Sequence, residues 1–286
     1  MSAIAASLRD DGAGRLAEWC RGQTRLVVLT GAGCSTASGI PDYRDRNGGW
    51  KRRPPVQIRD FLASHEVRRR YWARSLAGWP RFSAAAPNGA HRALAAFEAA
   101  GRVQHLITQN VDGLHQRAGS RAVTDLHGRL DAVHCLDCGN EIPRTQFQTE
   151  LLARNAGWAA PPALSAPDGD ADLEGVGFSA FEVPGCGRCG GVLKPAVVFF
   201  GDTIPAERSR RALTEVQQAG ALLVVGSSLM VWSGYRLVRV AAEAGLPVAA
   251  VNLGRTRADE LLQLKVEAPC AEALTRTAAL LGLRGL

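Results

Sequence analysis

Residues 26–45, LVVLTGAGCSTASGIPDYRD, constrain the fold more than any other stretch of the chain. Val27, Val28 and Leu29 end a short apolar, β-branched run of the kind that forms a buried strand. Gly31, Ala32 and Gly33 follow directly, a turn in which two residues without side chains let the backbone pass close to a neighbour. Ser35, Thr36 and Ser38 can each cap a helix and leave its first N–H groups free for an anion. Strand, glycine turn and helix start together predict a phosphate cradle. Gly39, Ile40 and Pro41 then stop the helix, and Asp42, Tyr43 and Arg44 add a carboxylate, an aromatic face and a guanidinium. Thr36 stands where a dinucleotide fingerprint has its third glycine, so the glycines alone do not define the ligand.

The rest of the chain supplies the sheet that such a turn needs. An opening helix is expected over residues 3–20, and an amphipathic helix over 90–100, ended by Gly101. A second buried strand is expected over 103–108, with Gln109, Asn110 and Asp112 just past its C-terminal end, where open α/β sheets hold their ligands. Strands over 196–200, 221–225 and 248–251 alternate with helices over 207–219 and 234–244. This pattern predicts an α/β fold with a Rossmann-like doubly wound parallel sheet. Two stretches break the alternation. Residues 45–85 are rich in Arg and aromatics and read as a helical insert. Residues 131–193 carry paired cysteines and, over 155–182, a polar segment too long for a simple connection, so a lid or flexible loop is expected there. The expected division is therefore a large domain of residues 1–44, 86–130 and 194–286, and a smaller discontinuous domain made of the 45–85 helical module and the 131–193 zinc-ribbon module.

Four of the seven cysteines form two C-x2-C pairs, Cys135 with Cys138 and Cys186 with Cys189, each beside glycine. Four thiolates with no open position suit one structural, tetrahedral Zn²⁺. Pairs of this spacing in a reducing compartment bind metal rather than forming disulfides. The N-terminus lacks a secretory hydrophobic region, and no apolar run reaches membrane-spanning length, so a cytoplasmic protein with no membrane partner is expected. At 286 residues, 46% hydrophobic, the chain can bury a large core without disulfides. The net charge of +7 comes from scattered Arg and Lys, which reads as a solvated basic surface that also attracts acidic cofactors or partners. Of the histidines, His105, His115 and His127 are candidates for chemistry that local sequence alone does not separate.

The segments GAGCSTASGIPDYR (31–44), TQNVDGLHQRAG (108–119), DLHG (125–128), the two C-x2-C pairs, KPAVVFFGD (194–202), GSSLMVWSGYR (226–236) and VNLG (251–254) occur in one order. In that order and spacing the chain resembles the sirtuins over nearly its whole length. YWAR (71–74), APDGD (166–170) and Tyr43 look closest to class II, the branch of the fourth mammalian, mitochondrial sirtuin. The resemblance implies an NAD-dependent protein-lysine deacylase that releases nicotinamide and O-acyl-ADP-ribose, with acylated-lysine proteins as substrates. It implies His127 as general base, and Asn110 and Asp112 as the pocket for the nicotinamide carboxamide, with Gln109 near the ribose. Gly31, Ala32, Gly33, Asp42, Tyr43 and Arg44 match the family's cofactor loop. Gly226, Ser227, Ser228, Asn252, Leu253, Gly254 and Cys270 match its phosphate and adenosine contacts. Tyr71 and Arg74, one helical turn apart, resemble a Tyr-x2-Arg that holds an acyl carboxylate in a desuccinylating sirtuin. An acyl group longer than acetyl is the corresponding expectation, with an acidic acyl as its finer form. The rival readings are mono-ADP-ribosyl transfer to protein and, more remotely, a zinc module for nucleic acid, which is not the expected partner.

Overall fold

The computed structural model describes residues 12–158, 164–165, 168–173 and 177–283. The start of the expected opening helix and parts of the polar segment between the cysteine pairs lie outside them. In chain order the elements begin with α1 (Gly12–Arg21), β1 (Leu26–Thr30), α2 (Ile58–Ala63), α3 (His65–Ser83), α4 (Gly89–Ala99), β2 (Val103–Thr108), α5 (Leu114–Arg117) and β3 (Val123–Asp125). Then come β4 (Gly128–Cys135), β5 (Glu141–Pro143), α6 (Arg144–Arg154), β6 (Leu164–Ser165), β7 (Ala171–Asp172) and β8 (Leu193–Val197). The chain closes with α7 (Ala206–Gln217), β9 (Ala221–Val225), α8 (Trp232–Glu243), β10 (Val248–Val251), β11 (Leu264–Val266) and α9 (Cys270–Leu280).

Six strands form one sheet in the order β11-β10-β9-β1-β2-β3, every neighbouring pair parallel. Strands β1 and β9 are buried along their whole length, which is why they read as unbroken apolar runs. Their residues alternate between two cores. Leu26, Val28, Leu223 and Val225 pack under α1, α4 and α9. Val27, Leu29, Leu222 and Val224 pack under α7 and α8. Helices on both faces of a parallel sheet make the doubly wound, Rossmann-like arrangement that the sequence predicts.

A second, antiparallel sheet of β5, β4 and β8 stands apart from the first. Its core joins the two stretches that broke the alternation: Phe61, Trp72 and Leu76 from the helical insert meet Val133, Phe147, Phe181 and Leu193. The expected strand over 196–200 is corrected here. The strand is Leu193–Val197, and it belongs to this small sheet, with Pro195 opposite Val133. An apolar run signals burial but not which sheet buries it. Phe199 and Phe200 leave the strand. Phe199 packs 5.1 Å from Phe61, and Phe200 packs 5.5 Å from Trp50, ring to ring.

The helix expected after the glycine turn is also corrected. Ala32–Cys34 and Thr36–Ser38 form two single 3-10 turns, and Gly39 at φ +83° ends them. The hydroxyls compete with helical backbone bonds: Thr36 Oγ1 donates to the Gly33 carbonyl at 3.0 Å, and Ser35 Oγ turns inward, away from any cap.

Candidate active site

Strand order reverses between β1 and β9, since the chain runs outward through β2 and β3 on one side and through β10 and β11 on the other. A crevice at the carboxyl ends of such a strand pair is where doubly wound sheets bind ligands. The loops that leave β1 and β9 meet there. Gly31 N donates to Val225 O at 3.0 Å and Gly33 N to Gly226 O at 2.8 Å. A Cβ on Gly31 would stand 2.8 Å from both Gly226 O and Ser227 Cβ, and one on Gly226 would stand 2.2 Å from Cys34 N. The glycines therefore serve loop-to-loop contact first. Gly226 also sits at φ +63°, a conformation that costs other residues about 1–2 kcal/mol.

Over these loops opens a cavity of about 760 Å³, in the upper part of the range of about 300–1,000 Å³ typical of small-molecule and cofactor sites. Of the sequence-predicted cofactor residues, Gly31, Ala32, Gly33, Asp42, Tyr43, Arg44, Gln109, Asn110, Asp112, Gly226, Ser227, Ser228, Asn252 and Leu253 line it, together with His127. Among the described residues, the N–H groups of Ala32, Ser227 and Ser228 find no acceptor within the chain. Clustered backbone donors of this kind suit a pyrophosphate. Arg44 Cζ lies 3.4 Å from the Trp50 ring centroid, and Tyr43 meets Phe200 edge-on at 6.1 Å, so this rim is an aromatic wall. Asp42 pairs with Lys51.

Of the three candidate histidines only His127 faces the cavity. His105 and His115 are buried, with Nε2 on Thr124 Oγ1 at 2.8 Å and on Thr30 Oγ1 at 2.9 Å respectively. His127 Nδ1 lies 3.0 Å from the Gln109 carbonyl oxygen, which can only accept, so Nδ1 carries the hydrogen. Burial pulls this imidazole down to about 4, against the partial support of that bond. The neutral ring therefore presents its Nε2 lone pair, which accepts from Ser233 Oγ–H at 2.8 Å. A neutral base whose lone pair is held by a displaceable hydroxyl at a cavity wall is what proton abstraction needs.

Asn110 and Asp112 follow β2 and are fixed by one residue of the glycine loop. Ser35 Oγ donates to Asp112 Oδ2 at 2.7 Å and accepts from Asn110 Nδ2 at 3.1 Å. Asn110 Nδ2 also donates to Gly31 O at 3.0 Å, and Leu114 N caps Asp112 Oδ1 at 2.9 Å. Burial raises the Asp112 carboxyl above its ordinary value, opposed by the Leu114 and Ser35 bonds. Gln109 Oε1 accepts from Ser227 Oγ at 2.6 Å, which ties the β2 loop to the β9 loop.

Three expected site residues are placed elsewhere. Cys270 is buried in the core at the start of α9, its thiol directed at Val251 O at 3.7 Å, and burial pushes it up to about 12. Gly254, at φ +84°, packs against Arg46, and neither residue lines the cavity. Arg74 is the third. Tyr71 lines the cavity, but Arg74 does not. Its Nε donates to Ala171 O at 2.9 Å and lies 3.4 Å from Asp170 Oδ2, so the guanidinium holds the β6–β7 hairpin. The group that reaches the cavity from that segment is a carboxylate, Asp168. Sequence reasoning missed Asp168, Ser35 as a partner of Asp112, and Ser233. All three lay inside segments already singled out, but the partners that give them roles are distant in sequence.

Away from the cavity, the four C-x2-C sulfurs converge, all within 4.8 Å of one another. Cys135 and Cys189 sulfurs are 3.5 Å apart, and those of Cys138 and Cys186 are 3.7 Å apart. Sulfurs placed about 2.3 Å from one tetrahedral ion would be about 3.8 Å apart. Gly139 at φ +69° and Gly190 at φ +76° make the two tight turns. The donor set fits one structural Zn²⁺.

Residues 31–233 match the model of the Sir2 family. A protein of Xanthomonas campestris pv. campestris (strain 8004) named NAD-dependent protein deacetylase is 61% identical over 91% of this chain and 88% of its own length. A Bordetella bronchiseptica protein of the same name is 60% identical over 88% of this chain and 92% of its own. A solved structure described as a Sir2–p53 peptide–NAD+ complex superposes with a TM-score of 0.77 at 29% identity, covering 94% of this chain and 98% of that one. Glycine loops at the switch point, a cavity-facing histidine and a four-sulfur centre are thus found in a chain that belongs to the Sir2, or sirtuin, family.

Proposed function

We propose that this chain removes acyl groups from protein lysine side chains at the expense of NAD, releasing nicotinamide and O-acyl-ADP-ribose. The observation that carries this reading is the neutral His127, its Nε2 lone pair in a cavity built on the β1 and β9 glycine loops. Bound NAD would supply an electrophilic ribose carbon with nicotinamide as its leaving group.

The chain's own residues then have distinct tasks. The N–H groups of Ala32, Ser227 and Ser228 hold the pyrophosphate, and Asn252 and Leu253 line the adenosine end. Asn110 and Asp112, locked by Ser35, hold the carboxamide, and Gln109 lies beside the ribose. Tyr43, Trp50 and Phe200 exclude water over the reacting end. Hydrogen-bonded through Nδ1 to Gln109, His127 takes the ribose-hydroxyl proton at Nε2. Ser233 occupies that lone pair until the hydroxyl replaces it.

Apolar residues support an acyl group longer than acetyl: Val56, Tyr71 and Phe199 line the cavity beside Pro55. An acidic acyl loses its support from Arg74, which is engaged with Asp170 and Ala171, while the side chain that reaches the cavity from that segment is the carboxyl of Asp168. YWAR, Tyr43 and the segment that carries Asp168 support placement in class II. Among the described residues no helix is long and apolar enough to cross a membrane. Four thiolates poised for metal suit the reducing cytoplasm.

The test is to incubate the protein with NAD and one peptide carrying, in turn, acetyl-, unbranched longer acyl-, biotinyl-, lipoyl- and 3-methylglutaryl-lysine, with products read by mass. Free lysine and O-acyl-ADP-ribose in equal amounts, lost in His127→Ala with the fold intact, are expected. ADP-ribose attached stably to protein in place of those products would instead favour transfer to protein.

A further inference from the structure

The cavity continues past His127 into a groove whose walls belong to α7 and α8. On α8, Ser233, Arg236 and Leu237 line it, positions i, i+3 and i+4 that share one helix face. On α7, Ala206, Ser209, Arg210 and Leu213 do the same through i+7. Ser233 Oγ touches His127 Nε2 at 2.8 Å, and Arg236 lies about one helical turn along from Ser233. Leu213 and Leu237 give this part of the lining its apolar side chains, and Arg210 and Arg236 its guanidiniums.

Those guanidiniums have no internal partner, although they line a cavity. Arg239 pairs with Glu243, Arg154 with Glu150 and Arg74 with Asp170. Among the described residues, neither Arg210 nor Arg236 makes a hydrogen bond, an ion pair or a ring contact. Asp202, which also lines the cavity, is already engaged: it accepts from Thr203 N at 2.7 Å and lies 3.5 Å from Lys194 Nζ. Beside the groove Trp232 is 51% exposed, with Arg257 Cζ 5.6 Å from its ring. Arg208, on the same helix as Arg210, adds a charge of the same sign that acts on His127 and on Asp125.

A lysine that carries an acetyl or other uncharged acyl gives these arginines nothing to bind. We infer that Arg210 and Arg236 read the residues beside it, and that the preferred substrate is a protein segment in which the acyl-lysine is flanked by Asp or Glu. This inference rests on the deacylase reading. Unpaired guanidiniums beside apolar side chains attract carboxylates, bind them bidentately and repel basic neighbours. The net charge of +7 draws acidic partners in the same sense.

The test uses the full-length protein, NAD and three peptides that differ only in whether Glu, Ala or Lys flanks one acetyl-lysine on both sides. Mass-based kcat/KM should rank Glu over Ala over Lys, with a spread of roughly three- to thirtyfold for two solvent-facing charge pairs. The spread should lie mainly in KM and shrink between low and high salt. In R210E/R236E the order should invert, Lys over Ala over Glu. That inversion, read as a ratio within one protein, does not depend on how much overall activity the variant retains. Turnover of all three peptides with no ranking, or with the same ranking in both proteins, would overturn the flank inference and leave the deacylase reading standing. Failure of all three peptides to release lysine would overturn the deacylase reading, and this inference with it.

Discussion

His127 carries the sharpest prediction at the residue scale. Its pKa, held near 4 by burial, lies below the ordinary value of 6.5. At pH 5 the folded protein therefore keeps most of this imidazole neutral, while an unfolded chain has mostly protonated it. Two consequences follow from the sign. The base remains available as pH falls through 6, so the acid limb of kcat/KM attributable to His127 should lie nearer 4 than 6.5. Its contribution to stability is complete above 6.5 and is lost as pH falls toward 4. Nitrogen-15 NMR of the imidazole checks both the titration and the Nδ1–H tautomer that the Gln109 carbonyl imposes. Gly226→Ala is the second test at this scale. A side chain at φ +63°, 2.2 Å from Cys34 N, must push the β1 and β9 loops apart. A loss of about 2 kcal/mol or more in stability is expected, with NAD binding weakened further, as thermal melts with and without NAD would show.

At the element scale the zinc centre and the β6–β7 hairpin carry the predictions. Cys135 ends β4, and Cys186 lies in the same small core as Phe61, Trp72 and Leu193. A chelator strong enough to remove zinc, or Cys135→Ser, should lower metal content from one ion per chain to none. The loss is on the order of 10 kcal/mol to that module. Activity should disappear although none of the four cysteines lines the cavity, because Phe199 and Tyr71 belong both to that core and to the cavity wall. Arg74→Met should leave acidic acyl-lysines no worse used relative to neutral ones. It should nevertheless cost about 1–3 kcal/mol in urea unfolding, since it strips a donor from the Ala171 carbonyl and from buried Asp170. Elements of this protein were legible in sequence where one helix or strand buries one face. Strands β1, β2, β9 and β10 were readable because each is a short apolar run bounded by turn residues. Residues 196–200 misled because Val197, Phe199 and Phe200 are apolar for two reasons, strand pairing and aromatic packing. The seryl turn after Gly33 misled because hydroxyls that can cap a helix can equally bond across a loop, as Ser35 does to Asp112.

On the scale of the whole molecule, the cavity exists because strand order reverses between β1 and β9 and a second core closes over the reversal. The glycine pattern at residues 31–33 announced a close approach. Its partner, the Gly226–Ser227 turn, lies nearly two hundred residues later, and only the parallel pairing of β1 with β9 brings the two together. Long-range pairings of this kind also decide Ser233 against His127 and Asp170 against Arg74, so those roles could not be read from local sequence. The zinc ligands could, because metal coordination fixes residue type and spacing directly. The central claim is that one cavity couples NAD cleavage to lysine release through His127. It is tested most directly by counting products of the wild-type protein with NAD and an acetyl-lysine peptide. Nicotinamide and free lysine should form one for one, and neither should form when peptide or NAD is omitted. Lysine released without NAD, or nicotinamide released with no matching lysine, would contradict it.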